Sequence, residues 1–212
     1  MNEGFHHIMS APIITPRADA TRGRIEAVAE ALFRRLGYQK TTVADIAREL
    51  GMSPANIYRF YPSKSAINEA IAARMLGAIE AGAWEIARGP GPATERMRLL
   101  LRHLHARHMA EFYQDRRLHD MVTAAMAEHW GVIERFLQAI LGAIRHVVMD
   151  GIASGEFGAV EPHQTASAIK QAIMCFNHPA LVSECMLQGL TEAELGDQAE
   201  RMTGFVLRAL RP

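Results

Sequence analysis

The chain has 212 residues, 49% hydrophobic and 22% charged. That composition excludes disordered, collagen-like and low-complexity chains, and the length suffices to bury a core without disulfide or metal staples. Lys and Arg number 23 against 23 Asp and Glu, so no overall basic charge points to nucleic acid or to an anionic membrane. The balance hides an asymmetry, with ten basic and seven acidic side chains in residues 1–75 against thirteen and sixteen in 76–212. Four Tyr, eight Phe and two Trp are few, Ala and Leu are abundant, and β-branched residues rarely cluster. An all-α chain is expected.

Residues 1–16 carry no Lys or Arg for the charged region of a signal peptide. No charge-free apolar run reaches the ~18–20 residues of a spanning helix, so a cytoplasmic location is expected. Residues 1–18 read as a flexible tail rich in turn formers.

From Asp19, Ile25, Val28, Ala29, Leu32, Phe33 and Leu36 fall on one helical stripe that Gly37 ends. Thr42-Val-Ala-Asp45 is a short-acid capping box opening a second, two-turn helix with Val43, Ile46, Ala47 and Leu50 inward. Gly51 can stop that helix in the left-handed conformation, and Ser53-Pro54 supplies a cap and a first-turn proline for a third helix to about Phe60. Pro62 breaks it, Ser63 caps a fourth, and Ile67, Ile71, Met75 and Ile79 carry that helix to Arg88. Further helices are expected at 93–112, 116–127, 130–153, 163–177 and 191–210, about nine in all, with no strand. There is no repeat at a fixed period.

Thr42 to Lys64 is the most informative stretch, because two short helices about a glycine turn are what a helix-turn-helix needs. The second helix of such a unit enters the major groove, and small or polar residues belong at its exposed N-terminal end. Pro54, Ala55 and Asn56 suit that place: Asn can pair with adenine and Ala can touch a thymine methyl. Tyr58, Arg59 and Lys64 are placed for phosphates or base edges, and Ile57 and Phe60 for the packed side.

These residues resemble the TetR family of bacterial one-component regulators, whose DNA-binding segment commonly reads T-x-x-x-I-A-x-x-x-G-V-S-x-x-x-x-Y-x-x-F-x-x-K. The chain has Thr42, Ile46, Ala47, Gly51, Met52, Ser53, Tyr58, Tyr61 and Lys64 there. Met52 replaces the usual Val and Tyr61 stands where Phe is commoner, both conservative in character. The resemblance implies a DNA face of Thr42, Pro54, Ala55, Asn56, Tyr58, Arg59 and Lys64, to which Arg22 of the first helix is added. It divides the chain into a tail (1–18), a helix-turn-helix domain (19–66) and a helical ligand-binding and dimerisation domain (67–212).

The resemblance also implies a homodimer through the last two long helices. Leu195, Ala199, Met202 and Val206 recur in steps of four and three, and Ile169 and Ile173 sit on a second apolar stripe, so these six are the candidate interface. Two copies would set recognition helices in successive major grooves of a near-palindromic operator. For the central domain, the resemblance implies a pocket, and a lining rich in Met and aromatics can adapt around an apolar ligand. His103, Met109, Phe112, Met126, Trp130, Met174, Phe176 and His178 are its candidates.

His105 and His108 share a helical face with no Cys and only Glu111 nearby, so neither a metal nor a cofactor is expected. HExxH, GxSxG, Walker and strand-borne GxGxxG motifs are absent, and no enzyme is expected. The reading is a DNA-binding repressor released by a small apolar ligand. The alternative, a helical ligand-binding or interaction module without DNA binding, leaves Ser53-Pro54 and Tyr58 to Lys64 without a purpose.

Overall fold

The computed structural model describes residues 16–113 and 131–212. The first helix, α1 (Pro16–Leu36), begins at Pro16 rather than Asp19, so the last residues assigned to the tail are helical. Most of its stripe lies inward: Ile25, Ala29, Leu32 and Phe33 are buried, with the Tyr38 ring edge-on to Phe33 at 5.3 Å, whereas Leu36 at the end of the helix is exposed. Both features of the expected capping box form on α2 (Val43–Leu50), where Asp45 N–H donates to Thr42 Oγ1 and Thr42 N–H donates to the Asp45 carboxylate. These bonds, the Thr42 hydroxyl's first among them, hold the Asp45 carboxyl below the usual carboxylate range. Gly51 takes φ 65°, the left-handed turn that only glycine adopts cheaply, and Met52 N–H closes back on Ala47. Ser53 caps α3 (Pro54–Tyr58) and Ser63 caps α4 (Lys64–Arg88).

Helix α5 (Ala93–His108) runs into a single wide turn of π-helix, Met109–Tyr113. Helix α6 (Gly131–Ala153) is apolar and long enough to cross a membrane, but it packs on α4, α5 and α7, which accounts for its composition. The helix expected over 116–127 lies outside the described residues. The one expected over 163–177 is broken into α7 (Pro162–Ala172) and α8 (Met174–Asn177). A helix unforeseen in the periodicity, α9 (Pro179–Leu187), follows because Pro179 forces His178 into extended backbone and then serves as a first-turn residue. The last helix, α10 (Glu192–Ala209), opens on a full capping box at Thr191 and Glu194. Among the described residues there is no strand.

α4 is the hub. It packs on α1 at one end and on α5 and α6 along the rest, with Ile67, Ile71, Met75 and Ile79 buried. Asn68 is wholly buried on the same helix, and neither its Oδ1 nor its Nδ2 has a hydrogen-bond partner among the described residues. At the far end, Arg96 on α5 donates to Ala87 O and to Asp150 of α6. The first turn of α5 follows Pro92, which cannot cap it, and Glu156 supplies the cap from the loop after α6: its carboxylate accepts from Ala93 N–H at 2.8 Å and Thr94 N–H at 2.9 Å. Those backbone donors pull the Glu156 carboxyl down to about 2.

Two substitutions check this. Asn68→Leu removes an unpaired amide that costs ~1–3 kcal/mol when buried, and should raise the urea midpoint at unchanged slope. Glu156→Ala should cost ~1 kcal/mol, as lost helix caps do. Because the carboxyl is depressed from 4.5 to about 2, the cap's contribution is full above pH 4.5. The difference between wild type and Glu156→Ala in urea melts should therefore shrink as pH falls toward 2.

Candidate nucleic-acid interface and cavity

The short helix α3 turns one apolar residue inward, Ile57, which is fully buried. It leaves Pro54, Ala55 and Tyr58 in solvent, followed by exposed Arg59, with Asn56 half-buried beside them. Met52 and Phe60 pack against the core beneath. The helix thus presents a small, polar and cationic surface of the size a groove accepts.

Three residues expected on that face are also structural ties. Thr42 is exposed, but its hydroxyl donates to Asp45 within the capping box. The Lys64 ammonium donates to Tyr38 O at 2.8 Å and Thr41 O at 3.0 Å and lies 4.3 Å from the centre of the Tyr38 ring. It pins the start of α4 to the α1–α2 loop. Arg22 donates to Phe60 O at 2.9 Å and lies over the Tyr61 ring, whose hydroxyl donates to Glu26. Burial, then that carboxylate, pushes the Tyr61 hydroxyl up to about 12. Spacing reveals which residues share a face and not which of them already hold an internal carbonyl.

A cavity of about 500 Å³ opens between α4, α5, α6, α7, α8 and the start of α9, within the range of small-molecule sites. Of the residues expected to line it, Met174 and His178 do. His103 does not: its ring lies against Gly82 on α4, where a Cβ would come within 2.5 Å, and its Nε2 meets Ile79 O. Phe176 is buried, and its carbonyl accepts from His105 Nδ1 at 2.9 Å, tying α8 to α5. Met109 opens the π-turn and is not in the cavity wall. Met126 and Trp130 lie outside the described residues, as does the Phe112 side chain.

His108, one turn beyond His103 and His105, is the α5 histidine in the wall. Burial drives its imidazole down to about 4, so it is neutral at pH 7, with Nδ1–H donating to Leu104 O at 2.6 Å. Ser167, Lys170 and Gln171 on α7 also line the cavity and were missed. Their i, i+3, i+4 spacing marks them as one face, and the signal was there in the polar side of the helix whose apolar stripe was noted. Among the described residues no cluster of His, Cys, Asp or Glu could hold a metal ion.

Of the six residues of the candidate dimer seam, Ile169, Ile173, Leu195 and Val206 are buried within the single chain, and Met202 packs on that core. The heptad-like spacing is satisfied inside the protomer. The large apolar side chains left exposed on α9 and α10 are Phe205 on α10, at 59%, and Leu181 and Leu187 on α9.

Two family descriptions match the chain: "Bacterial regulatory proteins, tetR family" over residues 25–71 and "Tetracyclin repressor-like, C-terminal domain" over 93–195, together more than half of its length. Among solved structures it is similar to a TetR-family transcriptional regulator of Pectobacterium atrosepticum, at 17% identity and TM-score 0.70 over 92% of this chain and 96% of that one. It is also similar to a transcriptional regulator of Cytophaga hutchinsonii, at 19% and 0.69 over 92% and 100%. A third is FadR of Bacillus subtilis in complex with stearoyl-CoA, at 16% and 0.63 over 89% and 99%. No curated protein matches in sequence.

The two kinds of cation separate on substitution. Lys64→Met should lower the melting temperature, since hydrogen bonds from a charged group to internal carbonyls contribute ~1.5–3 kcal/mol. Arg59→Ala should leave thermal stability unchanged and, if Arg59 meets a phosphate, reduce the salt slope of duplex binding by about one.

Proposed function

Because the chain belongs to the TetR family, whose members are DNA-binding transcriptional regulators with a C-terminal ligand-binding domain, we propose that it is a cytoplasmic homodimeric repressor. A small molecule seated in the cavity would release it from a near-palindromic operator. The proposed DNA face is Pro54, Ala55, Asn56, Tyr58 and Arg59, with Thr42, Arg22 and Lys64 at its edges. The proposed domains are 19–66 and 67–212, with the boundary one turn into α4.

The observation that carries this reading is the double duty of α4. Its first residue is pinned to the helix-turn-helix by Lys64, and its Ala72 and Leu76 line the cavity. Eight residues, about 12 Å of helix, separate Lys64 from Ala72. A ligand that fits better with α4 displaced therefore favours a different setting of α3, and its differential affinity for the two settings determines how far operator binding falls. A coupling of ~1–3 kcal/mol weakens that binding ~5–150-fold. The exposed Phe205, Leu181 and Leu187 favour a second copy against α9 and α10, where two of the expected seam residues, Leu195 and Val206, are already buried within the protomer.

A binding selection on randomised duplex DNA at two salt concentrations tests the proposal. The expected result is a near-palindrome with steep salt dependence, and no enrichment at either salt would sink it. On the selected site, Asn56→Ala should lose ~1–3 kcal/mol of discrimination at one base position per half-site.

A further inference from the structure

The cavity is two-sided in chemistry. From α4 and α6 its wall is hydrocarbon: Leu76, Ile133, Phe136 and Ile140. From α7 onward apolar Ile173, Met174 and Pro179 are joined by the cavity's polar side chains other than His108: Ser167, Lys170, Gln171, Asn177 and His178. Lys170 is half-buried there, and among the described residues it has neither a carboxylate nor a carbonyl partner. No Asp or Glu among the described residues lines the cavity, and His108 is neutral. In the same wall, His178 Nδ1 and the acceptor Asn177 Oδ1 are buried without a hydrogen-bond partner among the described residues.

Each ligand class meets this arrangement differently. A purely apolar molecule gains from the α4 and α6 wall at roughly 25 cal/mol per Å² buried, but removes water from Lys170 and the neighbouring amides and returns nothing for it. A cation meets Lys170 with like charge. An anion gives Lys170 a charge-assisted hydrogen bond, the stronger kind, and the Nδ1–H tautomer of His178 is a second donor.

We infer that the cavity takes an amphiphile with a single carboxylate head, seated at Lys170 on the α7–α8 side, and a hydrocarbon body laid against α4 and α6. This replaces the expectation of a largely apolar ligand and rests on the reading of the cavity as the effector site. With the head fixed on α7, the hydrocarbon end is what reaches Leu76, so body length, rather than head charge, governs how far α4 is displaced.

Calorimetric titration of the full-length protein with decanoate, 1-decanol and decylamine, each below its aggregation threshold, tests the inference. Decanoate should bind at least about tenfold more tightly than 1-decanol, the size of one charged hydrogen bond, and decylamine more weakly than either. Lys170→Met should abolish the preference for decanoate while keeping 1-decanol affinity, and Lys170→Arg should retain the preference; melting curves confirm that both variants fold. Equal binding of decanoate and 1-decanol, or a preference that survives Lys170→Met, overturns the carboxylate assignment and leaves an apolar site standing. Failure of all three to bind overturns the amphiphile assignment altogether. Tight decanoate binding that leaves operator affinity unchanged sustains the inference and removes instead the reading of the cavity as the effector site.

Discussion

The hydrogen bonds from Lys64 to the carbonyls of Tyr38 and Thr41 seat the first turn of α4 in the helix-turn-helix, and α4 runs on from there into the larger domain. Without them the first turn of α4 would meet the helix-turn-helix through apolar packing of Ile67 and Ile71, which resists separation but is poor at fixing rotation, and the next charged tie, Arg74 to Glu30 of α1, lies further along the helix. Two directional bonds from one ammonium, with its charge over the Tyr38 ring, set both the position and the register of the helix's first turn. Arg22 of α1 holds the chain just after α3 by donating to the Phe60 carbonyl. The recognition helix α3 is only five residues long and could not hold its place by itself. Its orientation is held by the buried Ile57, by the Ser53 cap and by the Arg22 bond to the chain that leaves it.

The ends of the larger domain are built differently. Away from the helix-turn-helix, α5 is tied to α6 through Arg96 and Asp150 and to α10 through Arg102 and Glu200. Trp84 covers Gly142 and is flanked by Arg88 and His146. That end is stapled by charge and aromatic packing. Toward the helix-turn-helix lie the cavity, the π-turn after His108, the breaks at Ile173 and His178, and the unpaired Asn68. Motion is expected where packing is incomplete and the helices are interrupted, and these features lie around the part of α4 that faces both cores.

Much of this was legible in the residues. Thr42 to Asp45, Gly51, Ser53-Pro54 and Ser63 state their structures locally, since caps and left-handed turns depend on a few neighbours, and all formed as read. The exposed side of α3 followed from the same local logic. What lay beyond reach was tertiary. Ile169 and Leu195 carry the spacing of an interface and of a core alike, and only the packed chain distinguishes them. His103 and His108 are indistinguishable by type; one lies against Gly82 and the other faces the cavity because the helix sets them about 140° apart around its axis, an angle that no motif records. The helix that begins at Pro179 carries no periodic stripe that would announce it.

The Glu156 cap of α5 also bears on how the chain comes to be. Ala93 and Thr94 leave the ribosome long before the carboxylate that will hold them, which lies 63 residues further along the chain from Ala93. At ~5–20 residues per second, the first turn of α5 waits roughly 3–13 s for its partner. During that interval the helix-turn-helix, whose caps are all local, is free to form, while the domain above it is not. Nascent chains of this protein thus pass through a stage in which the DNA-binding half is assembled and its regulatory half is not.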